Sequence, residues 1–409
     1  MRLTLVTYSL GCGGAQRVLT TLANGWRRAG HAVTIVALRA EDEPPFFPLD
    51  PGVSVEWLAV AGDSRHPLEA VARNLVRVRA LRAAFRRTRP DVVVSFLNTV
   101  NVLVLLATAG SRIPVIVSER NDPGLKPLPR AWRWLRNPAY GRARAIVVQT
   151  RRTAEWFPPR LRRRMVVIPN AVALPDRPAP PGTAPARGGT VLAVGRLEHQ
   201  KGFDLLVRAF AQAARQHAGW RLAIAGEGSQ RAALESHAAA GGVADRVRLL
   251  GRQADIWSIY AAADVFALPS RFEGFPNALI EAMAAGLPVV AADCPTGPRE
   301  IVHHERDGLL IPTEDENALG RALSRLMGDP DLRARLAAGA VSVVDRYRPD
   351  AIQRRWNTLV ADVSGRNRSP KDGRSDPEKP RLPGSEGRAA ELDESHQSEG
   401  NLEKEDPDE

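Results

Sequence analysis

Two glutamates, Glu273 and Glu281, stand eight positions apart in the stretch EGFPNALIEAMAAGLPVVAAD, residues 273–293. An ionised carboxylate only accepts hydrogen bonds, so a pair of them suits a ligand rich in hydroxyl groups, such as a sugar or a ribose. Upstream, VGRLEHQKGFDLLVRAF carries Arg196 and Lys201. Cations at the end of a strand and the start of a helix attract phosphate or diphosphate. Lys201 is one of only two lysines before residue 364, the other being Lys126, in a chain that otherwise writes its cations as Arg. Near the start, SLGCGGAQRV supplies Gly11, Gly13 and Gly14 ahead of a helix predicted to begin near Ala15. Such a segment permits a tight turn and close approach of backbone to an anion. Its spacing is not the GxGxxG fingerprint, and a plain strand-to-helix turn fits it equally well. Taken singly, each of these groups also fits a solvated surface.

Their meaning depends on the elements that hold them. LTLVTY, AVTIVAL, DVVVSFL, PVIVSE and AIVVQT are strand candidates in the first half, and TVLAVG, WRLAIAG, VRLLG, VFALPS, PVVAAD and GLLIP in the second. Near-continuous apolar strands separated by amphipathic helical stretches predict parallel sheets covered on both faces. VFALPS then ends at a loop holding Glu273, and a helix opens near Pro276, with Glu281 one to two turns in and Gly286 past its end. This puts Glu273, Gly274 and Phe275 in the loop, and the backbone N–H groups of Asn277 and Ala278 in the first turn. The expected division is a Rossmann-like domain over 1–172, a Pro/Gly/Ala-rich linker over 173–189, and a second such domain over 190–348. A terminal helix over 349–363 would pack back on the first domain, ahead of a disordered tail over 364–409. Two doubly wound domains facing each other leave a ligand cleft at the carboxyl ends of their strands.

Composition narrows the partners. The 409-residue chain is 44% hydrophobic, enough for a sizeable core, and its two cysteines, Cys12 and Cys294, argue against a disulfide framework and for a reducing cytoplasm. The apolar run Leu3–Leu10 reads as a buried strand rather than a signal peptide, and no stretch reaches the ~18 residues of a spanning helix. Net charge is +16 over residues 1–172, zero over 173–363 and −5 over 364–409. The first half alone therefore calls for an anionic partner. In LEAVARNLVRVRALRAAFRRTRP, Leu68, Val71, Leu75 and Val78 share one helical face opposite Arg73, Arg77 and Arg87. RAWRWLRNPAYGRARA and EWFPPRLRRRM mix Trp with Arg. Each segment fits either a core stripe under a cationic face or the headgroup layer of an anionic membrane; together they favour membrane docking. No zinc spacing, helix-turn-helix or aromatic RNA-binding motif supports a nucleic-acid partner.

EGFPNALIEAMAAGLPVVAAD, VGRLEHQKGFDLLVRAF, VVIPNAV and GGAQRVLTTLANGWRRAGHAV resemble the signature segments of glycosyltransferase family 4, the glutamate pair Glu273 and Glu281 being the most specific element. The resemblance runs from residue 1 to about 363. It implies the GT-B fold, a nucleotide-diphosphate sugar donor bound by the C-terminal domain, and retaining transfer with no metal ion or cofactor. The only Asp-x-Asp pairs, at 329–331 and 406–408, agree with that. Arg196 and Lys201 would hold the donor diphosphate, Glu273 the transferred sugar and Glu281 the ribose. Gly274, Phe275, Asn277 and Ala278 would complete the donor site, with Gly13 and Gly14 closing from the other domain. Many relatives place a His after the strand equivalent to PVIVSE; here Glu119, Arg120, Asn121 and Asp122 stand instead, with Glu119 and Arg120 read as sugar- or phosphate-facing and Glu119, Arg120 and Asn121 as sugar or acceptor contacts. SERND is also similar to members that extend polyprenyl-diphosphate-linked oligosaccharides with UDP-linked hexosamines or hexoses. The expected enzyme works at the inner face of the plasma membrane on a lipid-linked glycan. A GDP-mannose-dependent transferase and a non-transferase sugar-nucleotide enzyme are the alternatives.

Overall fold

Val, Ile, Leu and Ala dominate short runs that can bury both faces, and each of the eleven strand candidates becomes a parallel strand, whereas the longer apolar run in NTVNVLVLLA forms the helix Asn98–Ala107. In a computed structural model, which describes residues 1–40, 44–62, 64, 66–120, 124, 129–172 and 188–365, these strands form two sheets. The first contains β1 (Arg2–Thr7), β2 (Ala32–Ala37), β3 (Ser54–Trp57), β4 (Val92–Phe96), β5 (Val115–Ser118), β6 (Ala145–Val148) and β7 (Met165–Val167), ordered β3-β2-β1-β4-β5-β6-β7. The second contains β8 (Gly189–Val194), β9 (Trp220–Ala225), β10 (Val247–Gly251), β11 (Val265–Leu268), β12 (Val289–Ala292) and β13 (Leu309–Ile311), ordered β10-β9-β8-β11-β12-β13. Every pairing within the sheets is parallel, with Leu3 opposite Val33 and Val92, and Val191 opposite Leu222 and Val265. In each sheet the strand order reverses beside the first strand, which opens a crevice at the carboxyl ends there. This is the two-domain GT-B architecture. The expected tail beyond residue 365 and nearly all of the expected linker lie outside the described residues.

Burial follows the strands: all five residues of β4, and all four of β5, β6, β11 and β12, are buried. The helix Pro349–Ser364 adds Ile352, Trp356, Leu359 and Val360 to the core of the first sheet. Trp356 meets Trp26 edge-on at 6.2 Å and stacks on Phe96 at 6.3 Å, while Trp26 Nε1 donates to Asn357 Oδ1 at 2.8 Å. The end of the chain thus ties the second domain's sequence to the first domain's core. In the helix Pro67–Thr88 only Leu81, Ala84 and Phe85 are buried. Leu68, Val71, Leu75 and Val76 are exposed, Leu68 at 86%, and Val78 is half-buried. Arg77, by contrast, folds onto the chain and donates to the carbonyls of Val60, at 3.1 Å, and Gly62. Among the described residues no helix is long and apolar enough to cross a membrane.

Candidate functional site

The loop after β11 is fixed before it meets any ligand. Glu273 is 5% exposed, and its Oε1 accepts from Lys201 Nζ at 2.6 Å and from Ser270 Oγ at 2.7 Å, while Thr296 Oγ1 donates to its backbone carbonyl. Lys201 ends a short 3-10 turn, His199–Lys201, followed by Gly202 with φ +64°. A Cβ on Gly202 would lie 2.2 Å from the Pro269 carbonyl oxygen, so only glycine lets the lysine turn close on the end of β11. Arg271 locks the two segments together. Its backbone N–H donates to Gln200 O at 2.9 Å, and its guanidinium forks onto both oxygens of Asp204 at 2.8 Å each. Burial alone would raise the Asp204 pKa, but its bonds to Arg271 and the neighbouring Arg208 hold it at about 2. Arg196 is exposed and makes one long bond, 3.3 Å, to Gln200 Oε1, which leaves its guanidinium available.

Helix Asn277–Ala284 follows, and its N-terminus meets that of helix Gly14–Arg28 across the crevice. A Cβ on Gly14 would stand 3.1 Å from Asn277 Nδ2. Gly13 is extended, with φ 178°, and neither it nor Gly14 is left-handed; what matters at Gly14 is space. Two helix N-termini converge here, each with free N–H groups and the positive end of its dipole, a strong seat for an anion. Glu281, 5% exposed, lies deeper: its Oε1 accepts from Arg17 Nη1 at 2.5 Å and its Oε2 from Tyr260 OH at 3.2 Å. Burial raises the Glu281 carboxyl above its ordinary range, with Arg17 and the Tyr260 bond pulling against it. Phe275 is turned into the core against Tyr347, ring centroids 5.5 Å apart, so it offers a ligand its backbone alone. Ala278 is half-buried and its carbonyl accepts from Tyr260 OH at 3.3 Å. Cys294 is buried near Glu273, and burial followed by that carboxylate pushes its thiol up to about 12, so it is no nucleophile.

The first domain's side of the crevice is built at the ends of β4, β5 and β6. Glu119 is 1% exposed and its Oε2 accepts from Tyr140 OH at 2.9 Å, in a network continued by Asn101. That bond ties Glu119 to the first domain's interior. Arg120 does lie at the crevice: a Cβ on Gly274 would sit 2.6 Å from the Arg120 carbonyl oxygen. Its Nη1 donates to Asn170 Oδ1 at 2.7 Å, and Asn170 Nδ2 donates to Asn277 Oδ1 at 2.5 Å. Asn121 lies outside the described residues. Arg17, Asn170, Tyr260 and Arg271 were not among the expected site residues. Asn170 sits within VVIPNAV and Arg17 directly after GGAQ, but nothing local announces that they meet residues 107 and 264 positions away.

Comparison with known proteins bears on this geometry. The family profile for group 1 glycosyl transferases matches residues 188–329, and the 4-like glycosyl transferase domain matches residues 13–171. An exopolysaccharide phosphotransferase of Streptomyces coelicolor is 32% identical over 91% of this chain, which spans only 42% of that protein's length. A Campylobacter jejuni protein is 29% identical over 89% of this chain and 99% of its own. It is named as an α-1,4-N-acetyl-D-galactosaminyltransferase acting on a GalNAc-containing glycan on undecaprenyl diphosphate. Among solved structures, Anabaena Alr3699/HepE in complex with UDP and glucose superposes with a TM-score of 0.71 at 19% identity, over 88% of this chain and 99% of that one.

Proposed function

The chain belongs to glycosyltransferase family 4, and from that membership we propose that it moves a hexose or N-acetylhexosamine from a UDP-sugar to a membrane-bound glycan on a polyprenyl diphosphate. Transfer proceeds with retention at the anomeric carbon and without a metal ion, in the assembly of a cell-surface polysaccharide or glycan. The observation that carries the reading is the meeting of two helix N-termini, at Gly14 and Asn277, beside the Lys201–Glu273 pair. Donor diphosphate would sit between those N-termini and the cations of Arg196 and Lys201. Glu273 would hold hydroxyls of the transferred sugar, and Glu281 those of the ribose.

The chemistry follows from where charge develops. As the bond from the anomeric carbon to the β-phosphate oxygen breaks, negative charge grows on that oxygen, and pre-placed cations and backbone N–H groups stabilise it without reorganising. The acceptor hydroxyl attacks on the face the phosphate leaves. Its oxygen bonds the anomeric carbon, and its proton passes to the departing phosphate oxygen, so configuration is retained. Lys201 and Arg196 supply the positive charge that a divalent cation supplies elsewhere. A UDP donor and a lipid-linked acceptor agree with what HepE binds and what the Campylobacter relative is named for.

Membrane attachment is part of the proposal. Leu68, Val71, Leu75 and Val76 on one helix, and Trp134 and Leu135 on another, are exposed on the domain that carries the positive charge. Apolar side chains with arginines around them suit an anionic headgroup layer. The test of the enzymatic claim is transfer from UDP-sugars to a polyprenyl-diphosphate-linked acceptor, with the product's anomeric configuration read by NMR. Lys201→Ala and Glu273→Ala should each abolish most turnover; wild-type turnover in both would sink the assignment.

A further inference from the structure

Arg120 is a buried cation with three of its five N–H groups unpartnered among the described residues. The residue is 8% exposed, two positions beyond β5, and its guanidinium carbon lies 5.0 Å from the centroid of the Phe96 ring. One corner is saturated. Nη1 donates to Asn170 Oδ1 at 2.7 Å and, with the Gln149 amide oxygen turned toward it, to Gln149 at 3.2 Å. The opposite edge is not: Nε and Nη2 are both buried and have no hydrogen-bond partner among the described residues. Burial lowers the guanidinium pKa to about 9. A buried charge left in that state costs free energy, and so does each unpaired buried N–H.

The free edge has a specific geometry. Nε–H and Nη2–H point in parallel, spaced to match two oxygens of one phosphate or carboxylate. Its position is equally specific. The Arg120 carbonyl oxygen packs against Gly274, next to Glu273, and its Nη1 reaches through Asn170 to Asn277, the first residue of helix Asn277–Ala284. Arg120 therefore sits where the first domain meets the loop and helix that carry Glu273 and Asn277.

Building on the proposed donor site, we propose that Arg120 is the first domain's oxyanion receptor. Its Nε–Nη2 edge takes two oxygens of the donor, either on the leaving β-phosphate or on a carboxylate of the transferred sugar. In the first case it adds a cation to the departing phosphate from across the crevice. In the second it selects a uronic acid donor. The two sources share one chemistry and separate in solution.

The experiment is calorimetric titration of UMP, UDP, UDP-glucose and UDP-glucuronate into wild type, Arg120→Lys and Arg120→Gln. Lysine keeps the charge and loses the paired donors; circular dichroism confirms that each variant is folded. A β-phosphate contact weakens UDP roughly 10- to 100-fold in both variants and leaves UMP unchanged. A carboxylate contact instead weakens UDP-glucuronate by the same factor, with UDP and UDP-glucose unchanged. Either result supports the receptor. Wild-type affinity for all four ligands in both variants overturns it, and so does an equal loss that includes UMP, the mark of a merely structural role. A wild-type protein that binds none of the four removes the donor site itself, and the receptor with it.

Discussion

Arg17→Ala tests whether the two domains cooperate in gripping the nucleotide. Arg17 comes from helix Gly14–Arg28 and its partner Glu281 from the second domain, with side chains 27% and 7% exposed. Removing one member of a fully buried pair costs ~3–5 kcal/mol. Here the loss is smaller, ~1–2 kcal/mol, because Arg17 is partly hydrated and Glu281 escapes by taking a proton. Burial already raises the Glu281 pKa, and Arg17 is the main force opposing that rise, so its loss lifts the pKa further. A neutral carboxyl holds ribose hydroxyls less strongly than a carboxylate, by ~1 kcal/mol or more over two bonds. UDP affinity in the variant should therefore fall about tenfold where the carboxyl is protonated and recover as pH rises and Glu281 ionises. Wild type, with Arg17 opposing the rise, should show the same change at lower pH. Stability moves the other way: a carboxyl raised by folding contributes stability below its ordinary value of 4.5 that is lost as pH rises through the folded pKa. The variant's melting temperature should drop, relative to wild type, from pH 5 to pH 8. Titration calorimetry and thermal melts across pH 5–9 read both effects. A flat UDP profile identical to wild type would refute the positioning role, and tighter binding would show Arg17 occupying the ribose seat instead.

Three further perturbations probe other parts of the site. Asp204→Asn loosens the brace on the Glu273 loop. Because the Asp204 pKa is held at about 2 against 3.8 unfolded, its stabilisation of ~1–2 kcal/mol, discounted for partial exposure, is present at pH 7 and lost as pH falls toward 2. Denaturant melts at pH 7 and pH 3 should show the wild-type advantage shrinking; an equal gap at both would exclude the ion pair as its source. Gly274→Ala places a methyl 2.6 Å from the Arg120 carbonyl oxygen and should raise the donor KM about tenfold or more by holding the domains apart, whereas an unchanged KM would remove that contact from the closed state. Replacing Leu68, Val71 and Trp134 together by Glu should abolish co-sedimentation with vesicles of anionic lipid and spare hydrolysis of a soluble donor; retained sedimentation would place the membrane face elsewhere.

Among the described residues, eleven strands were legible as apolar runs, most of them buried on both faces, while edge strand β10 showed through VRLLG although its residues are only half-buried or exposed. The two that were missed, β3 and β7, are short edge strands: SVEW breaks its apolar residues with Ser and Glu, and MVV is apolar but only three residues long. The frame around Glu273 and Glu281 was also legible, since strand, loop and helix run consecutively there. What the sequence could not supply was anything made by docking the domains. The Arg17–Glu281 pair joins residues 264 apart, and the Asn170–Asn277 bond residues 107 apart. Glu119 and Arg120 illustrate the same point at the shortest range. Neighbours in sequence after a strand, they part company, Glu119 to Tyr140 in the interior and Arg120 to Asn170 at the crevice. For the helix Pro67–Thr88, periodicity identified an apolar face but not its direction, which depends on where Leu81, Ala84 and Phe85 anchor it.

The central claim is that Lys201, Glu273 and Glu281 form one seat for a nucleoside-diphosphate sugar. Its most direct test is calorimetric titration of UDP-sugars into wild type, Lys201→Ala and Glu281→Gln. The account predicts saturable one-to-one binding to wild type. It further predicts that Lys201→Ala erases the gain of UDP over UMP, while Glu281→Gln weakens UDP and UMP alike. Undiminished binding of UDP-sugars to both variants would contradict it.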